Sequence, residues 1–310
     1  MFYAAYVLSE LRRRRGRPAP GRPGSDVRAR VVGRPSLTNA RLAAAFRACG
    51  YDAAVVPPDA PLAPGPGDVA LVRLDVLPSL DGVEPGLRRL EKLERAGAVL
   101  LNRPGALLRA HDKLASAIVL ARAGVPHPRT AHVHAPEPAP SFGPRYVVKP
   151  RFGSWGRDVF RRESVAELAA CLERIESRDW FRRQGALVQE LVAPTGRDLR
   201  LVVAGGRVVG AVERVAPAGE WRTNVALGAR RRPVEPPHEA CTAARRAAAA
   251  VGLDLAGVDV LARGNGTHVV LEVNGAVDFT SAYALGGSDP FAAAVDSLVA
   301  PPAVVLAASG

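Results

Sequence analysis

The sequence predicts an α/β chain, in which a parallel sheet flanked by helices passes into an α+β part built from hairpins. Two observations predict it. From Val27 onward, strand-length apolar runs alternate with segments of helical period. Beyond residue 107, glycine-centred turns separate apolar runs of hairpin length on either side of an alanine-rich helix.

Taken in order, Val27–Val32 reads as a strand. Leu37–Cys49 reads as a helix with Leu42, Ala45, Phe46 and Cys49 on one face and Gly50 as its stop. Strands are expected at Ala53–Val56, Val69–Leu74 and Ala98–Leu101, with a helix near Gly86–Ala96. This first unit, 27–107, is a parallel-sheet domain. The next unit, 108–190, opens on a helix capped by Asp112 and closed by Gly124, with Pro126 beyond it. Strands Tyr146–Lys149 and Val159–Arg161 flank a glycine-containing loop, and Ser164 to Glu167 forms a capping box. Strand Ala186–Val192 leads into the third unit, 191–310. There hairpins turn at Gly205-Gly206 and at Gly264-Asn265-Gly266, with helix His238–Val251 between them, ended by Gly252. Residues 1–26 form a basic Pro/Gly/Arg tail without periodicity, expected to be disordered.

Composition narrows the function classes. The 310 residues carry a net charge of +12, yet only Lys92, Lys113 and Lys149 among the 42 cations are lysine. So strong an arginine bias looks like genomic composition, which weakens any argument for nucleic acid from charge alone. It also draws attention to the lysines that remain, since ammonium and guanidinium are not interchangeable where geometry matters. No apolar run approaches the roughly 20 residues of a membrane span. Arg12–Arg15 follow rather than precede the first apolar residues, the reverse of a secretory signal, so a cytoplasmic protein is expected. Cys49, Cys171 and Cys241 are odd in number and widely spaced, which indicates neither a disulfide framework nor a zinc site.

Two passages carry chemistry. In YVVKPRFGSWGRDV, Lys149 ends a strand, and Gly153, Ser154, Trp155 and Gly156 form a loop whose small residues let backbone N–H groups approach phosphate oxygens. In AGVDVLARGNGTHVVLEVN, Asp259 lies on one strand of a hairpin and Glu272 and Asn274 on the other. Glu272 and Asn274 share a face, and Asp259 falls opposite residue 271 or 272 according to turn register. Oxygen donors of this kind suit Mg²⁺. Gln189, Glu190 and Leu191 lie on a short apolar strand leaving one lobe for the next, a natural place for adenine. Asp198, Arg200, Arg214, Arg222 and Asn224 belong to passages that bring donors to the presumed phosphate site. His132 and His134 share a face at strand spacing, but ordinary loop histidines explain them better than a metal pair.

The order DK…VVKP…GSWGR…VQEL…GRDLR…ER…WRTN…AGVD…LEVN resembles the ATP-grasp carboxylate–amine ligases of the RimK/LysX branch, over residues 27 to about 295. RPSLTNARL, LNRPGALLRAHDKL and AGVPHPRT look like the N-terminal passages of that branch. The resemblance implies an ATP-grasp fold, with an N-terminal pre-ATP-grasp domain and two lobes clasping the nucleotide. It makes Lys113, Lys149, Gly153, Ser154, Trp155, Gly156, Gln189, Glu190, Leu191 and Asp198 nucleotide-binding residues. Arg200, Arg214, Arg222 and Asn224 become the catalytic set, and Asp259, Glu272 and Asn274 the metal ligands. Its cofactors are ATP and Mg²⁺, with Mn²⁺ as an alternative and two ions bound.

GSWGR and the stretch EVNGAVDF followed by GGSDPF look like LysX, whereas Arg222 in WRTN is the RimK-like choice. The resemblance thus implies ligation of a dicarboxylic amino acid, α-aminoadipate or glutamate, to the C-terminal Glu of a small acidic carrier protein or peptide, by a homodimer or homotetramer. The alternative is RimK-type addition of glutamate to another protein or cofactor terminus. A competing class is a non-enzymatic basic nucleic-acid-binding protein. Charge favours it, but aromatics are only 5% and no nucleic-acid-binding signature appears.

Overall fold

The computed structural model describes residues 27–65, 67–136, 142–263 and 266–300. The basic tail expected at 1–26 lies outside the described residues, as do Gly264 and Asn265 of the second hairpin turn.

The first sheet contains β1 (Arg28–Val32), β2 (Asp52–Val56), β3 (Val69–Val72) and β4 (Val99–Leu101), in the order β2-β1-β3-β4 and parallel throughout. Helices α1 (Leu37–Ala48) and α2 (Leu87–Arg95) supply the crossovers. Ser36 caps α1 by accepting from the Asn39 N–H at 3.1 Å, and Leu42, Ala45 and Phe46 face the core. Cys49 falls one residue beyond this helix, at its C-cap, and packs against the same core.

A helix the periodicity does not announce, α3 (Pro104–His111), runs directly into α4 (Lys113–Arg122). Asp112 closes the first and caps the second, its carboxylate accepting from the N–H groups of Leu114 and Ala115. Next comes an antiparallel sheet of β5 (Thr130–Val133), β6 (Tyr146–Pro150), β7 (Phe160–Arg162) and β8 (Ala186–Glu190), in the order β5-β8-β6-β7. It is backed by α5 (Val165–Ile175) and α6 (Asp179–Gln184), around Tyr146, Leu168, Leu172 and Phe181. Ser164 caps α5 as the capping box requires, though Glu167 reaches back to the N–H of Glu163 rather than to Ser164.

The third sheet is antiparallel, ordered β11-β10-β9-β12-β13. Its strands are β9 (Arg197–Ala204), β10 (Arg207–Val215), β11 (Arg230–Pro233), β12 (Leu255–Ala262) and β13 (His268–Asn274). Alternation along β9 feeds two cores. Leu201 and Val203 pack with α7 (His238–Val251), whose Ala240, Ala244 and Ala247 allow close approach, while Val202 and Ala204 pack with α8 (Pro290–Val299) and α1. On that second face the even-numbered positions change from apolar to charged at Arg200 and Asp198, where the functional cavity begins. No helix among the described residues is long and apolar enough to cross a membrane.

Asn102, fully buried just beyond β4 with φ +55°, ties the first sheet to the third. Its Oδ1 accepts from the N–H groups of Asp254 and Leu255, and its Nδ2 donates to the carbonyls of Leu255 and Gly275. Asn102→Ala removes four buried hydrogen bonds at a backbone geometry that asparagine tolerates better than alanine, so chemical denaturation should show a loss of about 2–4 kcal/mol.

Candidate active site

Three neighbouring strands of the third sheet set one row of charges. Register pairs Arg214 with Asp198 and Arg200 with Asp259. Arg214 donates to both oxygens of Asp198 at 2.8 and 2.5 Å and lies 2.9 Å from Asp259, and Arg200 donates to both oxygens of Asp259 at 2.7 Å. The Thr223 hydroxyl adds a bond to Asp198 at 2.6 Å. Arg214, Asp198 and Asp259 are each at most 4% exposed. Burial alone would raise the Asp259 carboxyl, but the two guanidiniums outweigh it and hold the group well below the usual carboxylate range. Both Asp198 oxygens are thus engaged inside the protein, by Arg214 and Thr223, and they hold the Arg214 guanidinium in place.

Across the hairpin, Asp259 stands opposite Glu272 because a bulge shifts the register between Asp259 and Val260. That settles the choice between residues 271 and 272. Glu272 accepts from Lys113 Nζ at 2.8 Å, and the same ammonium donates to the Gly153 carbonyl at 2.6 Å. Burial would raise Glu272 too; the Lys113 charge leads the groups that bring it below its ordinary value. The described residues contain no group of three His, Cys, Asp or Glu suited to a metal. The donor set here is instead two carboxylates and the Asn274 amide, all hard oxygen ligands that fit Mg²⁺. Both Asp259 oxygens already serve arginine, so an ion there shares that carboxylate.

Lys149, near the end of β6, lines the same cavity without a salt bridge among the described residues. Burial pushes its pKa down to about 8, and the like charge of Lys113 adds to the effect against Glu272 and Asp259. The loop after it carries Trp155 at φ +59° and Gly156 at φ +71°. A Cβ on Gly156 would sit 2.8 Å from Asn224 Oδ1, so this turn needs glycine on both conformational and steric grounds. Arg222 reaches the Gly156 carbonyl at 3.1 Å while gripped by Glu220, whose carboxyl is lowered to about 2, first by that guanidinium.

At the other end, Gln189, Glu190 and Leu191 line the cavity with Val147, Val159, Leu261 and Leu271, an apolar slot for a planar ring. The N–H groups of Glu190 and Leu191 are already donated, to the carbonyls of Arg129 and Arg145. The side chains of Gln189 and Glu190 are engaged by Thr130 and Arg129. Any hinge contact to a base must therefore use the remaining backbone groups of this segment.

Fifteen of the seventeen residues singled out from the sequence thus line one cavity. Arg200 and Asn274 do not; they line a second, more polar cavity that shares Ser154, Trp155, Arg214, Asn224 and Glu272 with the first. Sequence inspection missed Asp75, His111 and Arg231 in that second cavity. Arg231 hides in an arginine run, and Asp75 offers one signal, its place just past the carboxyl end of a parallel strand. The His132 and His134 rings meet edge to face, with centroids 4.1 Å apart, but they lie on and just beyond edge strand β5 and line neither cavity.

A model of the RimK-like ATP-grasp domain matches residues 110–289. The protein named "Probable alpha-L-glutamate ligase" of Thioalkalivibrio sulfidiphilus is 38% identical over 196 residues, covering 61% of this chain and 63% of that protein. The "Tetrahydromethanopterin:alpha-L-glutamate ligase" of Methanosarcina acetivorans is 33% identical over 213 residues, covering 63% and 65%. The chain thus spans just under two thirds of the length of these two curated relatives. The crystal structure of the RimK domain protein ATP-grasp from Sphaerobacter thermophilus is similar in fold at a TM-score of 0.65 and 25% identity, over 88% of this chain and all of that one. With the lysines, the glycine loop and the paired oxygen donors arranged around one cleft between two antiparallel sheets, the chain belongs to the RimK-like ATP-grasp family.

Proposed function

We propose that the protein is an ATP-dependent carboxylate–amine ligase that forms an amide through an acyl phosphate. The observation that carries this is the meeting of the two cavities at Ser154, Trp155, Arg214, Asn224 and Glu272. One is elongated, with an apolar slot at one end and Lys113, Lys149 and a glycine loop at the other, as a nucleotide requires. The other is polar and suits the groups to be joined.

ATP lies with its base beside Gln189–Leu191 and its phosphates under Gly153–Gly156, held by Lys113 and Lys149. Mg²⁺ held by Asp259, Glu272 and Asn274 neutralises phosphate charge when bound. A substrate carboxylate oxygen attacks the γ-phosphorus and ADP departs. Arg200, Arg214, Arg222 and Asn224 stabilise the charge of the transferring group and of the acyl phosphate. An amine then attacks the acyl carbon, and phosphate leaves. No protein nucleophile is needed. The arginine donors are already held in place by their acidic partners, so little reorganisation accompanies the reaction.

The names of the relatives support glutamate as the amine. The acceptor carboxylate is that of an acidic carrier or peptide ending in Glu, to which a basic protein is attracted. The LysX-like passages GSWGR and EVNGAVDF favour addition of one dicarboxylic residue to such a carrier; the RimK-like Arg222 favours glutamate addition to another protein or cofactor terminus. Mg²⁺-dependent ADP release, measured across amino acids with Glu-terminated peptides and with product masses read alongside, separates these. A single addition supports the first, a ladder of glutamates the second, and ADP release with no amide product refutes ligation.

Two outcomes follow for Lys149. Lys149→Ala should lower kcat/KM for ATP by about 100-fold or more, since a charge-assisted phosphate contact is lost. Wild-type turnover in that variant would remove the nucleotide assignment. Lys149 is charged below pH 8 in the free protein and bound phosphates favour its protonated form, so binding takes up protons as pH rises through that value. ATP affinity, measured by calorimetry, should therefore fall above about pH 8, and Lys149→Arg, which stays charged, should flatten the profile.

A further inference from the structure

Most charges lining the polar cavity are neutralised within the protein. Arg200 and Arg214 face Asp259 and Asp198, Glu272 faces Lys113, and Asp278 lies 3.5 Å from Arg73. His111 is buried, its Nε2 lies 2.7 Å from the Leu74 carbonyl, and burial pushes its pKa down, disfavouring a charge there. Two lining groups of opposite sign remain without a salt bridge among the described residues: Asp75 and Arg231.

Neither is placed casually. Asp75 follows β3, and its backbone is pinned to buried Glu84 in both directions: the Asp75 N–H donates to Glu84 Oε2 at 3.0 Å, and the Glu84 N–H donates to the Asp75 carbonyl at 2.8 Å. Its Oδ1 accepts from the Val76 N–H at 2.7 Å and the Ser154 hydroxyl at 3.4 Å, while Oδ2 has no protein partner among the described residues. Asp75 is also the one lining residue of this cavity that comes from the first sheet unit. Arg231, on β11, pairs in register with Arg214 and so shares its sheet face. Like charges directly opposite are unfavourable unless compensated. Arg214 has two carboxylates; exposed Arg231 has none, and an incoming anion would supply one.

We infer that Asp75 and Arg231 together hold the amino-acid substrate, Asp75 taking its ammonium group and Arg231 a carboxylate. A molecule with both charges satisfies both residues at once, whereas a plain amine or a plain carboxylate satisfies one. The inference deepens the ligase proposal and rests on it for the word substrate, but binding can be measured without turnover.

The test titrates L-glutamate, L-2-aminoadipate and glutarate, which lacks the amine, by calorimetry into the protein saturated with a non-hydrolysable ATP analogue and Mg²⁺. Affinity for the analogue reports that each variant is folded. Asp75→Asn should weaken L-glutamate by about tenfold or more, as expected for losing a hydrogen-bonded charge partner. It should leave glutarate unchanged, and Asp75→Glu should recover most of the loss. Arg231→Met should weaken both ligands. Equal weakening of glutamate and glutarate by Asp75→Asn, no weakening of either, or no binding of either amino acid to the wild type overturns the assignment. ADP release separates the two proposals. Asp75-dependent binding without ADP release removes ligation and keeps this site; ligation with an unmoved KM for the amino acid in Asp75→Asn does the reverse.

Discussion

Four charges in a row, Asp198, Arg214, Asp259 and Arg200, govern the rest of this site. Each would be costly to bury alone, and the cost is offset only when all four alternate in sign at hydrogen-bond distance. That requirement fixes the register of β10 on β9 and of β9 on β12. A slip of one residue in either pairing would send a charged side chain to the opposite face, where α7 packs against Leu201 and Val203. Once the ladder is set, the bulge beyond Asp259 leaves Glu272 as its partner on β13, and Asn274 follows two residues on. The oxygen donors are therefore placed by the same strands that neutralise the arginines.

The same accounting sorts structural from ligand-facing charges. Lys113 is committed to Glu272 and the Gly153 carbonyl, Arg222 to Glu220, and Glu190 to Arg129. Such pairs hold side chains in position before a substrate arrives, which is what preorganised electrostatic stabilisation requires. Lys149 stands apart, desolvated and beside a like charge. A cation in that condition gains more from an anionic ligand than one already satisfied. Function is thus expected to concentrate where the pairing inside the protein stops.

How much of this was legible in the sequence varies with the physics involved. Helix His238–Val251 was legible to the residue because alanine spacing and a terminal glycine mark both its apolar face and its end. The Asp112 cap and the first parallel sheet were legible for similar local reasons. Helix Pro104–His111 was not: Pro104 marks a start, but the segment abuts the next helix with only Asp112 between them and so lacks a stop signal. Strand Arg230–Pro233 was illegible because all four residues are exposed on an edge and carry no apolar alternation. In the candidate site, residue types and spacing pointed to Lys149, the loop and the oxygen donors, whereas Lys113 followed only from the family resemblance. Spacing could not reveal which acid each arginine would meet, because that depends on register between strands far apart in sequence.

The arginine bias adds one more constraint. In a chain that uses arginine almost everywhere, two of its three lysines line the cleft beside the glycine loop, while Lys92 lies exposed on α2. Lys113 shows why composition gives way there. One compact ammonium meets the Gly153 carbonyl and the Glu272 carboxylate at once, at 2.6 and 2.8 Å, from the first residue of a helix. A planar guanidinium on a longer stem presents its donors in a fixed fork and would have to displace the glycine loop to fit between the same two acceptors. Lys149 adds a second reason, since an ammonium can be brought towards neutrality by burial whereas a guanidinium stays charged. The lysines persist where the site needs a point charge that either fits a narrow gap or can be tuned by its surroundings.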